Sequence, residues 1–97
     1  MSKSYVERRT VSRKTPLDGK LEISGGAAKR LTESTPLAVD LNGVRGQGTL
    51  VSMPCTCRDV AHVHYFLESE SFRTLSPETE VEVRISGDGS SAVVTTV

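Results

Sequence analysis

Tryptophan is absent from this chain, and its only aromatic residues are Tyr5, Tyr65, Phe66 and Phe72. So few flat rings argue against single-strand nucleic-acid recognition by base stacking. They also leave Val, Leu and Ile to fill the interior. No apolar run approaches the roughly 20 residues that a membrane helix needs, so no membrane partner is expected. The two cysteines, Cys55 and Cys57, are too few for the disulfide framework of a small secreted fold. The opening MSKSYVERRT is polar almost throughout and lacks a secretory pattern, so the expected setting is the cytoplasm of a bacterial-type cell.

The formal charge is zero, but it is unevenly spread. Residues 1–20 carry six basic and two acidic residues, a net of +4, and the rest carries six basic and ten acidic residues, a net of −4. Residues 1–19 therefore read as a basic N-terminal strand and arm, and residues 20–97 as a single domain. A basic arm on a mildly acidic body suits a polyanionic partner, and it equally suits a solvated leader that keeps the chain soluble.

A repeat runs through the chain at an offset of 44 residues. LEISGGAAKRLTESTPLAVDLNG then lies over YFLESESFRTLSPETEVEVRISG. Leu37, Val39 and Leu41 fall on Val81, Val83 and Ile85, and Gly43 falls on Gly87. Each half reads as a short strand, a helix of one or two turns, an alternating strand, a glycine turn and a further strand. The helices are expected over 26–31 and 70–75, with Ser24 and Ser69 as N-cap residues. Asn42-Gly43 is a short-hairpin signal, and the next strand is expected near 48–53. Strands near 5–11, 62–67 and 91–97 complete the set. The expected fold is all-β with two short helices: a seven-stranded pseudobarrel built from two strand-helix-strand-strand repeats.

That order resembles the DNA-binding pseudobarrel of plant auxin-response-type transcription factors and EcoRII-like restriction-enzyme effector domains. GKLEISGGAAKRL stands where the family has its strand-into-helix segment, and VHYFLESESFRTLSPETEVEVRI where it has its second unit. Double-psi barrels and the swapped-hairpin fold of bacterial transition-state regulators share paired strand-helix-strand halves and remain alternatives. The resemblance implies that two loops grip duplex DNA. The first is RRTVSRKTPLDG, with Arg8, Arg9, Arg13 and Lys14 for phosphates or guanine edges. The second is TCRDVAH, with Arg58 at its tip. The acidic body departs from the broad basic face usual in such proteins.

CTCRDVAHVH gathers both cysteines and both histidines within ten residues. Cys-x-Cys and His-x-His each put two side chains on one strand face. If Cys57 lies opposite His62, and Cys55 opposite His64, the four converge as a tetrahedral, structural zinc site. Free cysteines with surface histidines, or a strained Cys55–Cys57 disulfide, are the alternatives. Parity weighs against zinc: Val51 and Met53 share the cysteine face, whereas Val63, Tyr65 and Leu67 oppose the histidine face. A bulge at Pro54 would reconcile them.

No nucleophile, base and oxyanion site come together, so the chain reads as no enzyme, and a thiol or metal enzyme is the remotest reading. Glu78, Glu80 and Glu82 read as the solvated face of a strand, and GVRGQG as a hairpin turn. The expected function is DNA binding through the basic arm and the 55–64 hairpin. The alternative is a zinc-stabilised interaction or scaffolding barrel, with a homodimer or protein partner on an edge strand such as SAVVTTV.

Overall fold

The computed structural model describes residues 4–32, 35–55 and 62–97, without the side chains of Cys55 and His62. Seven strands account for most of it: β1 (Tyr5–Thr10), β2 (Lys20–Ile23), β3 (Leu37–Leu41), β4 (Val44–Cys55), β5 (His62–Glu68), β6 (Glu80–Ile85) and β7 (Ser91–Thr96). They form one sheet in the order β1-β6-β7-β3-β4-β5-β2, curled nearly into a barrel. Among the described residues, helical structure is limited to one-turn α1 (Thr15–Asp18) and α2 (Gly25–Ala28) and a 3-10 turn at Glu70–Thr74. No described helix is long and apolar enough to cross a membrane.

The alternation dictates the interior. Leu37, Val39 and Leu41 of β3, and their counterparts Val81, Val83 and Ile85 of β6, are all buried. Leu21 and Ile23 of β2 join Leu67 of β5 beside them. Phe72 is fully enclosed, and removing such a side chain from water contributes about 1.5–3 kcal/mol. Ser24 caps α2 by accepting the Ala27 N–H at 3.1 Å, and Ser69 accepts the Ser71 N–H at 3.4 Å. Both helical segments start where the serines indicate. Each is shorter than its expected range: α2 tightens after Ala28, where the Arg30 and Leu31 N–H groups reach back only three residues. Helix α1 carries no apolar periodicity and was not expected.

The repeat is visible in the pairing. The 44-residue offset superposes Glu22 on Phe66, and these two are also direct antiparallel partners. A strand pair that exchanges its members under the repeat must cross at such a residue, as a two-fold axis there requires. The hairpins differ in their second strands, twelve residues in β4 and six in β7, and at their turns. Asn42 (φ 51°) and Gly43 (φ 89°) make the two-residue turn between β3 and β4, the left-handed pair that a tight hairpin needs. The β6–β7 connection is longer and is organised by Asp88.

Strand β4 departs from expectation. Only Gly43 of GVRGQG belongs to a turn; the rest is the first part of β4: Val44–Gly48 pairs with β3, and Thr49–Cys55 with β5. The change of partner falls at Gly48, where an added Cβ would lie 2.6 Å from the Glu68 carbonyl oxygen and 2.7 Å from Val39 Cγ2. The glycine that suggests a turn in the sequence is required by the close passage of two strands.

SAVVTTV is not an edge. β7 lies between β6 and β3, parallel to the latter, with Ala92 and Val94 buried. The edges are β1 and β2. Side chains bridge the seam between them: Arg9 Nε donates to the Glu22 carbonyl at 3.1 Å, and Glu7 Oε2 accepts the Ser24 N–H at 3.0 Å.

Candidate functional site

The basic arm divides into two roles. Along β1, Tyr5, Glu7 and Arg9 point inward and Val6, Arg8 and Thr10 outward. Arg9 is committed to the seam and lies 3.9 Å from Glu7. Arg8 is exposed and pairs with Glu80 at 3.0 Å. Arg13 and Lys14 are exposed in the turn before α1, and no ion pair or hydrogen bond involves their side chains among the described residues. Arg58 lies outside the described residues.

Glu7 is the acidic residue that reasoning from the arm's charge overlooks. Its side chain is only 11% exposed. It accepts the Ser24 hydroxyl and N–H and the Tyr5 hydroxyl, the last at 2.9 Å. Burial pushes its carboxyl up, but the Ser24 bonds, the Tyr5 bond and the nearby Arg9 charge together outweigh this and leave it below the ordinary value. Arg30 closes the outside of this cluster, its guanidinium 5.5 Å from the Tyr5 ring centre.

The β4–β5 register corrects the sequence expectation. Cys55, not Cys57, lies opposite His62, and Met53, not Cys55, lies opposite His64. Buried Leu50 opposite buried Leu67 anchors this alignment. The ladder passes Pro54 opposite Val63 without a bulge. Beyond Gly48, β4 has left β3 and has one partner strand, so a residue without an N–H is tolerated. The parity conflict resolves differently from the expected bulge. Val51 and Met53 do not enter the core; Met53 is 44% exposed, and Leu50 supplies β4's inward apolar contact. Cys57 lies outside the described residues. Among those described, no group of three or more His, Cys, Asp and Glu side chains is arranged to hold a metal.

Alternation places Glu22, His64, Phe66 and Met53 on the outer face of β2, β5 and β4. The turn ahead of α1 and α1 itself stand beside this face. Together they enclose a cleft of about 470 Å³ lined by Ser12, Lys14, Asp18, Lys20, Glu22, Met53, Pro54, His64 and Phe66. His64 Nδ1 lies 2.7 Å from Glu22 Oε2. Asp18 Oδ1 accepts the Lys20 N–H at 3.0 Å, and Lys20 Nζ lies 3.8 Å from Glu68. The cleft thus has an apolar floor and balanced charge at its walls. Of the residues singled out in the sequence, it unites Lys14 and His64. Glu22, Lys20 and Phe66 became visible as site residues only through the pairing of β2 with β5. The Glu80 and Glu82 positions lie along the sheet face away from the interior, while Glu78 is exposed in the preceding turn with φ 67°.

No protein-family model matches the chain, and comparison with curated proteins gives no match.

Proposed function

We propose that this protein is a small, non-catalytic DNA-binding β-barrel that holds duplex DNA between the Arg13–Lys14 turn and the β4–β5 hairpin. The observation that carries the reading is that these two separate segments flank one cleft, with Lys14 on one side and Met53, Pro54 and His64 on the other. Exposed Arg13 and Lys14 supply phosphate contacts; Arg58, the third cation expected from the sequence, lies outside the described residues. Arg8 is placed to exchange Glu80 for a phosphate, because an exposed ion pair contributes only about 0–1 kcal/mol. Arg9 serves the barrel seam instead. Asp18 and Glu22 line the cleft but already accept hydrogen bonds or face His64, which blunts their repulsion of a polyanion.

The test is retention of a labelled duplex at low ionic strength, followed through a salt titration. Affinity should fall steeply with added salt, and Arg13→Ala with Lys14→Ala should lower the slope by about 0.9 per contact removed. A folded protein that retains no duplex at low salt rejects the reading. One observation favours a second reading, a protein-interaction barrel: exposed Met53 and half-buried Phe66 give the cleft an apolar floor that phosphate contacts do not need. Absence of DNA binding in a folded protein would transfer the assignment to it.

A further inference from the structure

We propose that the cleft between the Arg13–Lys14 turn and the outer face of β2, β5 and β4 binds a small aromatic molecule carrying one negatively charged group. The site goes beyond the DNA-binding reading and does not rest on it, because a duplex backbone makes no use of the cleft's floor.

The floor is apolar where a sheet ordinarily meets water. Of the three strands beneath the cleft, β5 is the middle one. Phe66 faces outward from it, since the next residue, Leu67, is buried in the core. Its cross-strand partners are Glu22 on β2 and half-buried Val51 on β4. Met53, 44% exposed, follows Val51 two positions along and so shares its face. The His64 ring, centred 6.4 Å from the Phe66 ring, extends this surface. A solvated sheet face is normally polar, as Glu80, Glu82 and Arg84 are on β6. Nor does the fold demand an aromatic side chain here: the 44-residue offset puts Glu22 at the position equivalent to Phe66.

The charges around the floor supply the second observation. Glu22 Oε2 faces His64 Nδ1 at 2.7 Å, and Asp18 Oδ1 accepts the Lys20 N–H at 3.0 Å. Lys20 Nζ lies 3.8 Å from Glu68. Lys14, on the opposite wall, makes no ion pair or hydrogen bond among the described residues. One unmatched cation beside an apolar floor complements a ligand with one anionic group and one apolar body. A ring contact with Phe66 and a thioether contact with Met53 favour an aromatic body over an aliphatic one. The cleft's volume of about 470 Å³ lies within the roughly 300–1,000 Å³ usual for small-molecule sites.

The test titrates the full ¹⁵N-labelled chain with 2-naphthalenesulfonate, and separately with 2-naphthalenemethanol, which has the same rings and no charge. Saturable amide shifts are expected at Lys14, Glu22, Met53 and Phe66, with the sulfonate the tighter binder. Lys14→Gln should weaken the sulfonate about fivefold, the upper worth of an exposed ion pair, and leave the alcohol unchanged. Phe66→Ala should weaken both compounds about tenfold. Met53→Gln, at a more exposed position, should weaken both and carries the test of the floor if Phe66→Ala misfolds, as circular dichroism will show. The proposal is overturned if the sulfonate gives no saturable shift, if its shifts lie away from the cleft, or if Lys14→Gln affects both compounds alike. Duplex retention by the same samples is read separately, so either reading can fail while the other stands.

Discussion

Glu7 on β1 and Ser24 at the head of α2 close the barrel: the carboxylate accepts both the N–H and the hydroxyl of the serine across the gap between the two edge strands. Ser24 simultaneously caps α2 through the Ala27 N–H. One contact therefore ties the first strand to the start of α2, where no backbone ladder joins the sheet edges. Side chains substitute for ladder bonds, and they also keep β1 and β2 from offering free edges to other chains.

The Glu7 carboxyl is held below the ordinary carboxylate value in the folded protein. The unfolded chain therefore takes up this proton more readily. The stabilisation is complete above the ordinary carboxylate range and is lost as pH falls through the lowered value. Glu7→Gln should cost about 1–3 kcal/mol at neutral pH, because it weakens a partly buried bonded group. It should also flatten the decline of stability in acid. Urea midpoints measured across the acid range check both outcomes; an unchanged acid profile would show that the carboxylate contributes nothing to closure.

Arg9 and the Arg13–Lys14 pair should separate fold from binding. Arg9→Ala is expected to lower thermal stability, since the Glu22 carbonyl loses its donor, while leaving the salt dependence of duplex binding intact. The double change at Arg13 and Lys14 should do the reverse, because both side chains are exposed without partners among the described residues. Paired melting and salt titrations of the two variants decide it.

Gly48→Ala should destabilise the chain by about 1–3 kcal/mol through overpacking. Its Cβ would meet backbone at Glu68 and a core methyl at Val39, and neither can swing aside. Gly43 stands in open space, so its cost comes from the φ of 89° alone. Chemical denaturation of both alanine variants should rank Gly48 as the more damaging site.

Asp88 organises the β6–β7 connection. Its carboxylate accepts the hydroxyls of Ser86 and Ser90 and the Ser90 N–H, and these bonds hold it at about 2. Its contribution is present above the ordinary aspartate value and is lost only as pH falls toward about 2. Asp88→Ala should speed amide exchange at Ser90 while leaving exchange in the β3 and β6 cores unchanged. Equal exchange in both proteins would show that the turn holds without it.

Phe72 is the largest fully enclosed side chain. Phe72→Ala should cost about 3–5 kcal/mol, enough to bring a domain of this size close to unfolding. A melting curve measures it directly.

Alternation by itself determined the faces of the strands. Val83 alternates with polar Glu82 and Arg84, Val39 with small Ala38 and acidic Asp40, and the same pattern at an offset of 44 residues announced two matching halves. The hydroxyls of Ser24 and Ser69 marked both helical starts, since capping is a local bond. Tertiary structure alone decided the register of β4 against β5. A shift of two residues preserves every face, so Cys57 opposite His62 and Cys55 opposite His62 obey the same pattern. Only the burial of Leu50 against Leu67 distinguishes them. Tertiary structure also decided which strands are edges: SAVVTTV has the composition of an exposed strand or a central one, and its place beside β3 depends on pairing across more than fifty residues. The seam follows the same rule, because Glu7 and Arg9 read as arm charges until β2 closes over them.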